Sequence, residues 1–169
     1  MHKCLFLDRD GVINYDYGYV YLEKDFIFRE EIFKICQVAQ EHNFKIIIIT
    51  NQAGIARGKF TENDFLNITK YMKKIFIGKG VKIDDIYFCP FHPTEGKGIF
   101  LKESYDRKPN PGLILKATKD HNINLKKSIF IGDKETDRMA AYNASLKKYI
   151  DSNDENWLNQ SLLAIKNII

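Results

Sequence analysis

Short apolar runs alternate with amphipathic stretches along the chain. The apolar runs predict β-strands near residues 3–7, 44–50, 85–89, 127–132 and 147–150. The stretches that follow them have apolar positions at helical spacing and predict helices near residues 29–42, 62–78, 111–121, 134–143 and 154–167. Strands that alternate with helices are typical of a parallel sheet with helices on both faces. The pattern therefore predicts an α/β fold.

The predicted helix near residues 62–78 has a clear start and a clear buried face. Thr61 and Asp64 resemble a capping box, in which each side chain accepts the backbone N–H of the other. Its apolar positions are Phe65, Ile68, Met72, Ile75 and Phe76. We interpret this apolar face as core, not as a ligand site.

The composition is that of an ordinary globular protein. The chain has 169 residues, of which 44% are hydrophobic and 28% are charged, and this is enough for one domain with a core. A net charge of +4 suits anionic substrates without requiring nucleic acid, because the lysines are scattered along the chain. We expect a single domain over residues 1–169 that acts as a monomer.

Cysteine usage and the lengths of the apolar runs bear on the compartment. Three cysteines cannot all pair, and Cys4 and Cys36 stand among apolar residues, as small core residues do. The first apolar run ends at Asp8 and does not resemble a signal peptide, and residues 46–49 are far too few to cross a bilayer. These features predict a cytoplasmic protein without a membrane partner.

The residues that end the first predicted strand carry the strongest chemical signal. The apolar run stops at two carboxylates, Asp8 and Asp10, and Gly11 then allows a sharp turn. Ligands bind at the carboxyl ends of strands in open α/β sheets. Two carboxylates placed there repel each other unless a cation or a shared proton intervenes. We therefore predict Mg²⁺ held by hard oxygen ligands, whereas the alternative for this motif alone is a surface Asp-x-Asp turn.

Three further segments supply complementary groups. A second apolar run ends in the hydroxyl and amide side chains of residues 50–52, and a cationic pair stands at residues 107–108 on a proline-stiffened turn. A third run ends at Asp133, and Asp137 follows one helical turn later. Phosphoryl transfer needs such a set, because its catalysis consists mostly of positioning and of neutralising negative charge. The four segments together predict a phosphoryl-transfer site.

With these motifs the chain resembles the haloacid dehalogenase (HAD) superfamily of aspartate-nucleophile phosphatases. Within it, the chain is most similar to the family of D-glycero-D-manno-heptose 1,7-bisphosphate 7-phosphatases and histidinol-phosphate phosphatases. This resemblance covers nearly the whole chain. The motifs that carry it are Leu7-Asp8-Arg9-Asp10-Gly11-Val12-Ile13-Asn14, Gly18-Tyr19-Val20, Thr50-Asn51-Gln52-Ala53-Gly54-Ile55-Ala56-Arg57-Gly58, Arg107-Lys108-Pro109 with Pro111-Gly112, and Gly132-Asp133-Lys134.

The resemblance implies a Rossmann-like sheet with strand order 5-4-1-2-3. This order places the strand ends that carry Asp8, Thr50 and Asp133 in one crevice. Many relatives insert a cap domain after the first or the third strand. Here residues 13–28 and 90–107 are the places for one, and both are too short to fold independently. We therefore expect no cap domain and interpret both segments as loops on the rim of an open site.

The resemblance also implies roles for the catalytic groups. Asp8 is the expected nucleophile, which forms an aspartyl-phosphate, and Asp10 is the expected general acid and base. The carboxylates of Asp8 and Asp133 and the backbone carbonyl of Asp10 are expected to bind the metal. Thr50 would hydrogen-bond a phosphoryl oxygen, and Lys108 would neutralise charge on the equatorial oxygens.

Two acidic residues have further interpretations. Asp133 precedes a predicted helix and could cap it as well as bind metal. Asp137 comes four residues later and faces the same side of that helix. We expect Asp137 to orient Lys108 or a metal-bound water instead of binding the metal directly.

A set of nine residues is expected to contact substrate. Arg107 stands just before the motif lysine, where a forked guanidinium suits phosphate or sugar hydroxyls, and the alternative is a surface salt bridge. Arg57, in contrast, is expected to tie down its own loop. The nine residues are Asp16, Tyr17, Gly18, Tyr19, Asn51, Gln52, Ala53, Arg107 and Lys134.

The chain departs from the family pattern in the loop after the third strand. Typical members carry a structural zinc there, on Cys-x-His followed by Cys-x-Cys. The corresponding positions are Cys89, Phe91, Ser104 and Asp106. Structural zinc needs four closed ligands, and although Cys89, His92 and Asp106 could offer three, we expect no zinc. Prolines and the packing of Phe91 with Phe100 are expected to hold the loop instead.

The leading prediction is a Mg²⁺-dependent phosphatase that removes the 7-phosphate of heptose bisphosphate in nucleotide-activated heptose biosynthesis, which can lead to lipopolysaccharide. Histidinol phosphate is the alternative substrate, because residues 51–52 and Arg107 fit both. An alternative of another class is a nucleic-acid 3′-end phosphatase, since an open site admits a strand terminus and the net charge is positive. Against it, the sequence shows no continuous groove of basic and aromatic residues. A catalytically inactive binding module is disfavoured, because every motif residue is present.

Overall fold

Five parallel strands form one sheet at the centre of the protein, in a computed structural model that describes residues 1–168. The strands are β1 (Lys3–Leu7), β2 (Phe44–Asn51), β3 (Asp85–Cys89), β4 (Ile129–Gly132) and β5 (Lys148–Asp151). They pair in the order β3-β2-β1-β4-β5, and every pair is parallel. The five predicted strands and the order 5-4-1-2-3 implied by the resemblance are therefore confirmed.

Helices connect the strands and follow the last one. They are α1 (Glu31–Glu41), α2 (Ala53–Ala56), α3 (Glu62–Gly78), α4 (Gly112–His121), α5 (Glu135–Asn143) and α6 (Trp157–Asn167). All five predicted helices form, and only α2 was not predicted, because four residues are too few to show a helical period. Among the helices of residues 1–168, none combines the length and the apolar character needed to cross a bilayer.

The start of α3 has the predicted capping box. The backbone N–H of Asp64 donates to Thr61 Oγ1 at 3.1 Å, and the backbone N–H of Thr61 donates to Asp64 Oδ2 at 2.8 Å. Each side chain thus satisfies a backbone donor that has no partner within the helix. The predicted core positions of α3 are buried or half-buried.

Side chains of β1 alternate between two buried layers, as the two-residue period of a strand requires. Leu5 and Leu7 pack in the layer that contains α1, α3 and α6. Cys4 and Phe6 pack in the layer that contains α4 and α5. Helices therefore cover both faces of the sheet, as predicted. Cys36 is also fully buried, so both cysteines interpreted as core residues lie in the core.

The carboxyl ends of the strands form one edge of the sheet, and two long loops rise beside this edge. Residues 13–28 contain one short 3-10 turn, Glu23–Asp25, and residues 90–107 contain another, Gly98–Phe100. Within the part of the chain that the structure describes, neither loop folds into a domain of its own. The site at this edge is therefore open, with a loop on each side.

Candidate active site

Three carboxylates converge where β1 and β4 end. Asp8 follows β1, Asp133 follows β4, and Asp137 stands in the first turn of α5. One oxygen from each carboxylate lies within 4.8 Å of the others. The parallel pairing of β1 with β4 explains this convergence, since it aligns Leu7 with Ile131 and brings both strand ends to the same edge.

The environment of these carboxylates fits a divalent cation. Burial and repulsion by Asp137 and Asp133, against the attraction of Lys108, raise the pKa of Asp8 to about 7. Burial and repulsion by Asp137, against the attraction of Lys134, raise the pKa of Asp133 to about 6. Asp133 Oδ1 is buried and has no hydrogen-bond partner among residues 1–168. Crowded, buried carboxylate oxygens with a free acceptor are suitable ligands for Mg²⁺.

Lys108 links two of the three carboxylates. Its Nζ lies 2.8 Å from Asp8 Oδ1 and 2.6 Å from Asp137 Oδ1, and it also donates to the Ile49 carbonyl at 2.9 Å. Although burial favours the neutral amine, Asp8 and Asp137 raise the pKa of Lys108 above its ordinary value. Lys108 is therefore a fixed cation at the centre of the site. Asp137 was expected to orient either Lys108 or a metal-bound water, and it contacts Lys108.

Asp137 also fixes the start of α5. Its Oδ2 accepts the backbone N–H groups of Asp133 at 3.2 Å and of Lys134 at 3.1 Å. The possibility that Asp133 caps this helix is wrong, because the helix has Lys134 as its N-cap residue and the hydrogen bonds of the described residues include none from a backbone N–H of α5 to the Asp133 side chain. Asp133 Oδ2 lies 3.9 Å from Lys134 Nζ, and Asp133 Oδ1 is left free for another partner.

The Asp10 side chain is not part of the cluster of three carboxylates found among residues 1–168, and it is held by its own partners. It accepts hydrogen bonds from Arg9 at 2.7 Å, Asn14 at 3.0 Å and Gln52 at 3.1 Å. Burial favours the protonated form, but Arg9, Asn14 and Gln52 together lower the pKa of Asp10 below its ordinary value. Asp10 is therefore an oriented carboxylate that can accept a proton.

The amides that follow β2 hold other residues of the site. Asn51 exchanges two hydrogen bonds of 3.0 Å with the backbone of Lys108. Gln52 Nε2 donates to Thr50 Oγ1 at 2.9 Å as well as to Asp10. Thr50 is buried, with 1% of its surface exposed. Positioning is thus the observed role of both amides, and the predicted contacts of Thr50, Asn51 and Gln52 with substrate stay predictions.

An open cleft of about 370 Å³ lies above these groups. Asp8, Asp10 and Lys108 line it. Seven of the nine predicted substrate residues line it as well, namely Asp16, Gly18, Tyr19, Asn51, Gln52, Ala53 and Lys134. Lys134 Nζ pairs with Asp16 Oδ2 at 3.0 Å, so these two residues meet across the cleft.

The other two predicted substrate residues lie outside this cleft. Tyr17 is 66% exposed and stacks on Tyr15, with 6.2 Å between the ring centroids. Arg107 Nη1 donates to the Phe91 carbonyl at 3.2 Å, inside its own loop. The arginine next to the motif lysine therefore supports the loop in this structure, and its contact with substrate stays a prediction.

Several lining residues were not assigned to substrate from the sequence. Arg57 pairs with Glu95 and donates to the Tyr19 hydroxyl at 3.2 Å, so it ties loops together as expected, but it also faces the cleft. Gly54 is required because a Cβ there would collide with the ring of Phe60. The other lining residues without an assignment are Arg9, Phe60 and Thr136. No hydrophobic period in the sequence shows that Arg9, Phe60 and Thr136 face the cleft.

The loop after β3 is held by contacts of its own residues. The rings of Phe91 and Phe100 lie 6.2 Å apart, as the expected packing requires. The backbone of His92 pairs with that of Leu101. One thiol, one phenyl ring, one hydroxyl and one carboxylate occupy the four zinc positions of the family pattern, and this donor set does not suit a structural zinc.

Gly11→Ala is expected to disturb the carboxylate cluster. Gly11 has φ +87°, and a Cβ there would collide with the Asp133 carboxylate. We expect phosphate release to fall about tenfold, because displacement of the Asp133 carboxylate would weaken the Mg²⁺ binding that the sequence predicts for it. Gly80→Ala is the matched control, since Gly80 has φ +76° and open space around it. Both variants carry about 1 kcal/mol of backbone strain, so equal activity in the two would contradict the expectation.

Comparisons with known proteins extend these observations. A family model described as polynucleotide kinase 3 phosphatase matches residues 9–163. The chain is 46% identical over 145 residues to a D-glycero-alpha-D-manno-heptose-1,7-bisphosphate 7-phosphatase from Burkholderia mallei, covering 86% of this chain and 77% of the relative. It is also 46% identical over 138 residues to a D-glycero-beta-D-manno-heptose-1,7-bisphosphate 7-phosphatase from Vibrio cholerae, covering 82% of this chain and 74% of the relative.

Solved structures show the same architecture. A protein from Mesorhizobium loti, described as HAD-like, matches with a TM-score of 0.88 at 28% identity, covering 99% of this chain and 87% of that chain. The D,D-heptose 1,7-bisphosphate phosphatase from B. bronchiseptica matches with a TM-score of 0.77 at 27% identity, covering 86% of this chain and 78% of that chain. The latter was solved in complex with magnesium and phosphate.

Proposed function

The chain belongs to the polynucleotide kinase 3 phosphatase family and is a phosphoric monoester hydrolase of the HAD superfamily, and from this we propose that it hydrolyses the 7-phosphate of D-glycero-D-manno-heptose 1,7-bisphosphate. The observation that carries the proposal is the 46% identity to relatives that act on this substrate. Relatives named for the alpha and the beta anomer are equally similar, so the proposal covers both. It treats residues 1–169 as one cytoplasmic domain that acts as a monomer, without nucleic-acid or membrane partners.

We propose that Asp8, Asp133 and the backbone carbonyl of Asp10 hold Mg²⁺. The convergence of the carboxylates and the unpartnered Asp133 Oδ1 support this ligand set. Asp137 lies in the same cluster, but its two oxygens serve Lys108 and the start of α5, so we assign it a positioning role. Bound Mg²⁺ supplies positive charge that offsets the repulsion between a carboxylate nucleophile and an anionic phosphoryl group.

Asp8 is the proposed nucleophile. Its carboxylate attacks the 7-phosphorus, the bond from phosphorus to the sugar oxygen breaks, and an aspartyl-phosphate forms. Lys108 lies against Asp8 and is placed to balance charge on the phosphoryl oxygens. Thr50 is proposed to donate its hydroxyl to the same phosphoryl group.

Asp10 is the proposed general acid and base. It takes up a proton as the substrate binds, donates it to the departing sugar oxygen, and then takes one from the water that hydrolyses the aspartyl-phosphate. Arg9 and Gln52 fix the Asp10 carboxylate in one orientation for both steps. The lowered pKa of Asp10 keeps its free carboxylate deprotonated, which is the form that takes the proton from water in the second step.

The open cleft is proposed to take the sugar. Its volume lies within the range of small-molecule sites, which is about 300–1,000 Å³. Lys134 and Asp16 pair with each other across the cleft, and hydroxyl and phosphate groups of a sugar can replace these partners on entry. We propose that the nine substrate residues predicted from the sequence contact the sugar. Tyr17 and Arg107 lie outside the cleft in this structure and would contact the sugar only if their loops move.

Hydrolysis of a substrate panel tests the proposal. The panel contains heptose 1,7-bisphosphate, histidinol phosphate, a 3′-phosphorylated oligonucleotide and an aryl phosphate, each assayed for phosphate release in Mg²⁺. We expect kcat/KM for heptose bisphosphate to exceed that for the aryl phosphate at least about 100-fold, which equals about 2.7 kcal/mol of transition-state binding. Equal values for these two compounds would contradict the substrate assignment.

The same panel decides between the alternatives. The description of the matching family model and the open cleft both favour including a nucleic-acid terminus as a second candidate substrate. Preferential hydrolysis of the oligonucleotide would support that function, and preferential hydrolysis of histidinol phosphate would support the other alternative.

A further inference from the structure

Arg29 joins two loops at the end of the sheet where the carboxylates meet. Its Nη1 donates to the Gly11 carbonyl at 2.6 Å, and its Nη2 donates to the Ser152 carbonyl at 3.0 Å. Ser152 Oγ donates to the same Gly11 carbonyl at 2.9 Å. The Gly11 carbonyl thus accepts two hydrogen bonds, one from Arg29 and one from Ser152. Nothing in the sequence marks Arg29 for such a role.

Aromatic rings fix the orientation of this guanidinium. The guanidinium carbon of Arg29 lies 4.6 Å from the centroid of the Trp157 indole and 5.9 Å from that of the Tyr15 ring. Trp157 is buried, with 3% of its surface exposed. Stacking of this kind leaves a planar guanidinium little freedom and directs its N–H groups edgewise. The two carbonyl contacts of Arg29 are therefore held in a fixed geometry.

The two loops that Arg29 joins, at Gly11 and at Ser152, both contact Asp133 or its neighbour Gly132. A Cβ on Gly11 would collide with the Asp133 carboxylate, so the Gly11 backbone already lies in contact with it. On the other side, the Ser152 N–H donates to the Gly132 carbonyl at 2.8 Å, and Asn153 Nδ2 donates to the Asp133 carbonyl at 2.7 Å. Arg29 therefore closes a ring of contacts that runs from Gly11 through Ser152 to the residues at the end of β4.

We propose that Arg29 is a positioning residue that sets the separation between the Asp10–Gly11 loop and Asp133, and thereby the affinity of the site for Mg²⁺. The inference rests on the proposed function, because the metal ligands are those assigned there. Residues that orient metal ligands without touching the metal contribute strongly to affinity, since they hold the ligands in the bound geometry before the metal arrives. Without Arg29, the Gly11 carbonyl keeps one donor and the Asp133 carboxylate gains freedom to move.

The test is a titration of the metal-free protein with MgCl₂ in the absence of substrate, in which the melting temperature is measured at each MgCl₂ concentration. Arg29→Met removes both donors and keeps the side-chain length. Arg29→Lys keeps the charge, and Ser152→Ala removes only the second donor to Gly11. Arg138→Met is the matched control, because Arg138 is exposed and pairs with Glu135 in its own helix.

We expect Arg29→Met to raise the Kd for Mg²⁺, fitted from the rise of the melting temperature with MgCl₂ concentration, about tenfold, which is the lower end of the effect of residues that support metal ligands. Ser152→Ala should raise it by a smaller factor, Arg29→Lys should recover part of the loss, and Arg138→Met should leave it unchanged. Steady-state kinetics at a temperature at which all variants are folded without Mg²⁺ should show the loss of kcat in Arg29→Met restored by excess Mg²⁺.

Two results would overturn the proposal. One is a melting temperature that falls in the Arg29 variants while the fitted Kd for Mg²⁺ stays within about twofold of the wild type, well below the roughly tenfold change expected of a residue that supports metal ligands. The other is a wild-type protein that Mg²⁺ does not stabilise. If Arg29→Met does not fold, the Kd values for Mg²⁺ of Arg29→Lys and Ser152→Ala decide. A wild type that binds Mg²⁺ but does not hydrolyse heptose bisphosphate contradicts the proposed substrate and leaves the role of Arg29 standing.

Discussion

Asp8→Asn is expected to abolish phosphatase activity, with kcat lowered on the order of 10⁴-fold or more, as for other lost nucleophiles. The amide has the shape of the carboxylate but cannot form a stable bond to phosphorus. The measurement is phosphate release from heptose bisphosphate at saturating Mg²⁺. Asp120→Asn is the control, because Asp120 is exposed on α4 and only accepts a hydrogen bond from the Tyr87 hydroxyl. More than about 1% of wild-type turnover in Asp8→Asn would remove Asp8 from this role.

The same variant should remain folded, which separates lost chemistry from lost structure. Because the pKa of Asp8 is raised from the ordinary carboxyl value to about 7, the native metal-free protein holds a proton more tightly than the unfolded chain does. The free energy of unfolding therefore falls as the pH rises from about 4 to about 7. Above about pH 7, Asp8 is ionised in both states, and its burial lowers the free energy of unfolding by the full amount. In a chelator, Asp8→Asn should melt above the wild type at pH 7.5, by a margin that shrinks at pH 5.

The part of the site that lies on regular elements could be predicted from the sequence. Asp8 and Asp133 each follow an apolar run, and the parallel pairing of β1 with β4 brings the ends of those runs together. The strand order itself came from the family resemblance, because the strand pattern alone is compatible with several orders. Once the sheet and its strand order are predicted, the positions of the side chains at the carboxyl ends of the strands are predicted as well.

The loops could not be predicted in the same way. Asn51 lines the cleft, as a residue expected to contact substrate should, but its two hydrogen bonds with the backbone of Lys108, 57 residues away, were not predicted. Arg29 and Ser152 meet across 123 residues. Loop contacts of this kind depend on the path of irregular backbone, which has no period in the sequence, and they decide which polar side chains support the site and which face the cleft.

Lys108 is the residue whose removal tests the electrostatic balance of the whole cluster. It is 3% exposed and lies between Asp8 and Asp137. Both carboxylates lie in a setting where an unpaired charge is costly, since removing one partner of a buried ion pair typically costs about 3–5 kcal/mol. The same ammonium group is placed to stabilise the phosphoryl group during transfer. Its two roles predict two separable losses.

Lys108→Met is therefore expected to lower kcat about 10³-fold, the upper range for loss of one group that stabilises a developing anion, and to lower the free energy of unfolding of the metal-free protein by about 3 kcal/mol. Denaturant unfolding with and without Mg²⁺ and steady-state phosphate release measure the two effects. Mg²⁺ should restore part of the stability, because it supplies positive charge to the same carboxylates, but it should not restore turnover. Lys74→Met, at an exposed position of α3, is the control. Full activity of Lys108→Met in Mg²⁺ would show that the metal alone neutralises the transferred phosphoryl group.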